Sequence, residues 1–182
     1  MIARKFLISL LASLSLMGIL SNVAYAQTQD GALGATSTGQ VDLDLEVTDS
    51  VEISALTAID FGSYGGGDTG GIQEEIGFCV YVNGGDGYTI TPSSANGDFV
   101  LIGDNGQDEI EYTVKLAGSG TGAASQSAVA YENQSATFLG SVRRDCNGTN
   151  NASLDVSIEE QEIRDASTDT YADTLILLVN PV

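Results

Sequence analysis

Few side chains in this 182-residue chain could carry covalent or acid–base chemistry. It has two cysteines, Cys79 and Cys146, twenty-five Asp and Glu, and no histidine. Without imidazole, the usual general base near neutral pH and a common zinc ligand are both missing. Paired carboxylates for glycoside hydrolysis can be picked in many ways from so many acids, and that abundance selects none. The tracts Gly65-Gly66-Gly67-Asp68-Thr69-Gly70-Gly71 and Gly84-Gly85-Asp86-Gly87 share only their glycine content with phosphate cradles. No lysine follows them and no helical pattern begins there, so both read as turns. Asp104-Asn105-Gly106-Gln107-Asp108-Glu109 offers oxygen ligands of the kind Ca²⁺ takes, but without the spacing of a calcium hand. Asn133, Asn147 and Asn151 each begin an N-x-S/T triplet, which matters only where the exporting cell glycosylates. No catalytic, cofactor-binding or metal-binding residue is assigned, and the chain reads as a non-enzyme.

The start of the chain sets the compartment for the cysteines. Arg4 and Lys5 precede an apolar run over residues 6–20, and Ala24-Tyr25-Ala26 puts small residues where a signal peptidase needs them. Residues 1–26 therefore read as a signal peptide, the run being short for a bilayer anchor. No later segment is apolar enough to span a membrane, so the mature chain is expected outside the bilayer, at the cell surface or secreted. In an exported chain an even cysteine count argues for a bridge, and Cys79 to Cys146 is the one intramolecular pairing. A free nucleophile or a metal ligand would lack a histidine or third cysteine beside it. Removing Arg4 and Lys5 leaves four basic residues against twenty-five acids, a formal charge of −21. Nucleic acid and anionic membrane surfaces, which need a basic footprint, are excluded as partners.

Behind these residues stands a pattern of short strands. In residues 41–47, Val41, Leu43, Leu45 and Val47 alternate with Asp42, Asp44 and Glu46. This is the period of a β-strand with one apolar and one acidic face. Burying four such side chains is worth on the order of 6–12 kcal/mol before ordering entropy, so the strand needs a groove. The polar stretch 27–40 ahead of it reads as a flexible arm. Beyond it, short strands are expected at 51–53, 59–61, 76–82, 88–91, 99–102, 110–116, 136–142, 154–158 and 170–179. The strands at 76–82 and 88–91 are expected to form a hairpin across Asn83-Gly84-Gly85-Asp86-Gly87. Residues 118–127 read as a mobile surface loop, and 158–166 as one helical turn or a loop. The pattern is that of one all-β domain, an antiparallel sandwich or barrel, over residues 51–182.

The order of GQVDLDLEV, IDFGSY at residues 59–64, the Cys79 strand and the closing YADTLILLV at residues 171–179 resembles the spore coat protein U family and the related archaic chaperone–usher pilins. That resemblance implies an immunoglobulin-like antiparallel β-sandwich that lacks its final strand and is completed by donor-strand complementation. It implies a structural subunit of a surface pilus or coat, with a role in adhesion or biofilm formation. Its partners would be identical or related pilin subunits, a periplasmic chaperone and an outer-membrane usher. Residues 27–50 would hold the arm and donor strand, with Val41, Leu43, Leu45 and Val47 inserted. Ile59, Phe61, Leu175 and Leu177 would line the acceptor groove. Family pilins often place a cysteine just after the donor strand, whereas this chain has Thr48-Asp49-Ser50-Val51 there, so its bridge would join different strands. The alternative is a self-complemented, secreted binding module whose N-terminal strand folds into its own groove.

Overall fold

The computed structural model describes residues 28–182; the leader read at residues 1–26 lies outside the described residues. Two compact units are formed, Met1–Val47 and Thr48–Val182. Among the described residues no helix is long and apolar enough to cross a membrane.

Within the first unit, β1 (Thr28–Gln29) and β2 (Gln40–Val41) pair antiparallel, Thr28 opposite Val41 and Gln29 opposite Gln40. The strand expected over residues 41–47 is realised only at Val41. Alternation of apolar and acidic side chains defines two faces, but a strand also needs a neighbour for its N–H and C=O groups, and residues 42–47 have no ladder partner among the described residues.

The second unit is all-β and antiparallel, with one short helix, as the sequence pattern predicts. A four-stranded sheet runs in the order β3 (Val51–Ser54), β4 (Ile72–Val82), β10 (Ala152–Ile158), β8 (Thr113–Ala117). A second sheet has the order β12 (Leu175–Pro181), β5 (Gly87–Ser94), β9 (Phe138–Leu139). A third joins β11 (Tyr171–Ala172), β6 (Val100–Gly103) and β7 (Glu109–Glu111). Phe78, Val80 and Val82 of β4, Tyr88 and Ile90 of β5, Val114 of β8 and Leu154 and Val156 of β10 share one buried cluster. The first two sheets therefore meet face to face as a sandwich.

Several expectations are corrected. β4 and β5 do not form a hairpin: β4 pairs with β3 and β10, and β5 with β12 and β9. Gly84 and Gly85, at φ of 86° and 74°, turn the chain from one sheet into the other. Residues 59–61 belong to no strand, and only Phe138–Leu139 of the stretch 136–142 joins a ladder. The expected strand 110–116 breaks at Tyr112, whose N–H turns to the Phe99 carbonyl at 2.9 Å. The closing strand breaks at Asp173 and Thr174. Residues 118–127 are not a free loop: Gly122 and Ala124 N–H groups donate to the Glu75 carboxylate at 2.6 and 3.1 Å, and Ala123 is fully buried. The helical turn is present as α1 (Glu160–Asp165).

Candidate functional site

The closing strand β12 carries the feature of most consequence. It pairs with β5 on one side, from Leu175 opposite Ser94 to Pro181 opposite Tyr88, and among the described residues has no ladder on the other. The two ends of this pairing fix which backbone groups are free. The Thr174 carbonyl accepts from Ala95 N–H at 3.0 Å, and Val182 N–H donates to the Gly87 carbonyl at 2.9 Å. Residues of an antiparallel strand alternate between facing the partner and facing away. The even-numbered residues thus face β5, while Leu175, Leu177 and Val179 direct both N–H and C=O to the open edge. Pro181 falls in the outward set, where a missing N–H costs no ladder bond. β3 has the same character, since Asn83 N–H donates to the Ser50 carbonyl at 3.1 Å and the pairing register leaves Val51 and Ile53 facing outward. The two edge strands come within 8 Å at Cα, yet no ladder joins them.

Beside the start of β12, and walled on the other side by Leu56, Ile59 and Phe61 of the stretch that follows β3, lies a cavity of about 350 Å³. Ile59, Phe61, Leu175 and Leu177, the four residues expected to line a groove, all line it. Ile76 of β4 and Leu154 and Val156 of β10 also line it, reaching it from the facing sheet. Sequence reading missed these three, because alternation marks them as core without saying that part of the core is open. A second cavity of about 650 Å³ shares Ile59, Phe61 and Leu101, so the cleft continues past Phe61. One wall is the stretch around residues 55–61. Ala55 has φ of 61°, which turns the chain out of β3, and the half-buried Ile59 and Phe61 follow without a ladder. The residues on β12 alternate: Leu175, Leu177 and Val179 are half-buried against the core, while Ile176 and Leu178 are 48 and 57% exposed.

The cleft is acidic at its rim. Asp173 lines the first cavity and Asp60, Asp169 and Asp173 the second, and among the described residues no lysine or arginine lines either. Asp173 accepts from Ser94 Oγ and Tyr112 Oη, both at 2.6 Å. Burial, reinforced by this carboxylate, pushes the Tyr112 phenol well above its ordinary range, so the hydroxyl stays protonated and donating.

In the first unit, the four expected donor side chains Val41, Leu43, Leu45 and Val47 are 66, 89, 89 and 74% exposed. Four large apolar side chains thus stand in water in a regular series, alternating with Asp42, Asp44 and Glu46.

Cys79 and Cys146 are bonded, with Cα atoms 5.8 Å apart. The bridge ties β4 to a 3₁₀ turn, Cys146–Gly148, and not to a second strand as expected. Asn151 was missed as a structural residue: its side chain accepts from Val80 N–H at 2.8 Å and donates to the Val80 carbonyl at 2.9 Å. It thereby continues the pairing of β4 where β10 has not begun, and this occupies the triplet's asparagine. Residues 104–107 form the turn between β6 and β7, with the Asn105 side chain accepting from Gln107 N–H at 2.7 Å. Among the described residues no group of three or more His, Cys, Asp or Glu is gathered as a metal site.

No family model and no curated protein matches the sequence. Among solved structures, the chain is similar to the CsuC–CsuE chaperone–tip adhesion subunit pre-assembly complex from the archaic chaperone–usher Csu pili of Acinetobacter baumannii. The TM-score is 0.40 and the identity 13%, over 79% of this chain and 44% of that one. The chain thus spans less than half the length of the structure it matches.

Proposed function

We propose that this protein is an exported structural subunit of a surface pilus or coat, polymerising by insertion of residues 41–47 of one copy into the cleft of the next. The observation that carries this reading is the open edge of β12 standing beside an apolar cavity. Three consecutive outward-facing residues, Leu175, Leu177 and Val179, have free backbone groups and half-buried side chains. Native sheets cover or blunt such an edge, and added strands satisfy its hydrogen bonds and its apolar surface together. Beyond Val41, which is already laddered, the exposed segment offers three alternating apolar side chains, Leu43, Leu45 and Val47, against those three free positions. Donor and acceptor are different surfaces of one chain, so the contact is head-to-tail and propagates into a filament. A subunit awaiting its neighbour needs a temporary occupant, which is the role of a periplasmic chaperone, and an outer-membrane usher would exchange one strand for the other. The subunit acts by assembly and carries no catalytic centre. Sedimentation and electron microscopy of the purified mature protein test this: ladders and fibres are expected. A monodisperse monomer whose residues 41–47 resist protease would replace it with the self-complemented binding module.

A further inference from the structure

Where the chain crosses from β4 to β5, three large apolar side chains stand together in water. Leu139, Val142 and Val182 are 75, 66 and 65% exposed. Two bare glycines gather them. Leu139 is opposite Gly87 in the ladder, while Val182 Cγ2 and Val142 Cγ1 lie 2.9 and 2.7 Å from where a β-carbon on Gly87 and on Gly85 would stand. Arg143 follows Val142, 61% exposed and paired at 3.5 Å with the equally exposed Asp145. The same end of the domain holds the root of the chain's own strand segment: Ser50 N–H donates to Asn83 Oδ1 at 2.8 Å, and Asn83 N–H to the Ser50 carbonyl at 3.1 Å.

That placement fixes the direction of an inserted strand. In a head-to-tail filament the neighbour's root meets the far end of the cleft, by Leu175, because the acceptor's own root occupies the near end. Residues 41–47 then run antiparallel to β12, the sense of every named ladder in the domain, with Val47 beside Leu175 and Leu43 beside Val179. Val41 falls beside Pro181, and the β1–β2 hairpin, Thr28–Val41, emerges at Val182, Leu139 and Val142. Apart from Val41, the hairpin's one large apolar side chain is the fully exposed Leu33, and its one charge is Asp30. We infer that the cluster of Leu139, Val142 and Val182 is a second docking site between consecutive copies, filled by the neighbour's β1–β2 hairpin with Leu33 on the cluster and Asp30 towards Arg143. This rests on the strand-acceptor reading above and adds a separate surface to it. Each copy grips the next at two points, and the second covers the root from which the acceptor's own segment departs.

The test uses the full mature chain, assembled into fibres from mixtures of singly substituted copies. A short bismaleimide then couples free thiols and leaves the Cys79–Cys146 bridge intact. Copies carrying Leu33→Cys mixed with copies carrying Leu139→Cys are expected to give a covalent dimer, which neither gives when assembled alone. Ala95, exposed at the Leu175 end of β12, is the control: Leu33→Cys mixed with Ala95→Cys should not couple. Leu33→Asp should leave the melting temperature of the unassembled subunit unchanged, because the side chain is already in water. It should speed fibre dissociation in dilute denaturant, followed by light scattering, roughly 10- to 100-fold, the worth of burying one leucine, and Leu33→Met should restore the original rate. Fibres that form without the coupling of positions 33 and 139, or whose dissociation Leu33→Asp leaves unchanged, overturn the inference and keep the strand reading. Coupling to position 95 instead also overturns it, by reversing the inserted strand. Absence of fibres from the unsubstituted protein overturns the strand-acceptor reading itself.

Discussion

Replacing Leu43 and Leu45 together by Asp separates assembly from folding. Each leucine is 89% exposed in the subunit, so neither substitution removes buried surface from it. In a filament both side chains would lie in the cleft of a neighbour, where burial of a leucine is worth about 1.5–3 kcal/mol, or about 3–6 kcal/mol for the pair. Two carboxylates in an apolar cleft add several kcal/mol more. With tenfold per 1.4 kcal/mol, the apolar loss alone weakens association by on the order of 10²- to 10⁴-fold. Sedimentation velocity and negative-stain microscopy should show fibres from the unsubstituted protein and single subunits from the double variant, with melting temperatures that agree within a degree or two. Fibres in normal yield from the variant would refute the role of this segment. A drop in its melting temperature on the order of 10 °C would mean that the two leucines are buried within their own subunit, as a self-complemented module requires.

Three further outcomes are expected. Cys79→Ser should lower stability by about 4 kcal/mol, since the bridge closes a loop with a sequence separation of 67, and chemical denaturation under oxidising conditions measures it. Asn151→Ala should cost about 1–3 kcal/mol by leaving the Val80 N–H unpaired, the Val80 carbonyl keeping the Ser141 N–H at 2.9 Å, with thermal melts as the readout. Tyr88 is fully buried with no partner for its hydroxyl among the described residues, and burial pushes its phenol up to about 12 from 10.0. The folded value lies above the unfolded one, so its contribution is intact below pH 10.0 and is lost as pH rises towards about 12. Tyr88→Phe should therefore be neutral or stabilising at pH 7 and should flatten the alkaline fall in stability, followed by denaturation at stepped pH.

The strands β4, β5 and β10 are legible in sequence because alternation at period two reports which side chains share a face. Phe78, Val80 and Val82 are all in the core as that alternation requires. The disulfide was legible from compartment and count. Alternation does not report the partner of a strand. Asn83-Gly84-Gly85 suits a hairpin and a crossing between sheets equally well, and only the packing of Tyr88 and Ile90 across from β4 decided for the crossing. Residues 41–47 show the same limit from the other side: their two faces are evident, but a ladder depends on a neighbour that no local pattern encodes. At the cleft, sequence marked Ile59, Phe61, Leu175 and Leu177 as apolar, and the tertiary structure brought them around one cavity with Leu154 and Val156 beneath. Which backbone groups of β12 stand free was decided only there as well. It depends on the hydrogen-bond register with β5, set by the bonds from Ala95 to Thr174 and from Val182 to Gly87, whose partners lie far apart along the chain, and composition and period carry no information about such distant pairings.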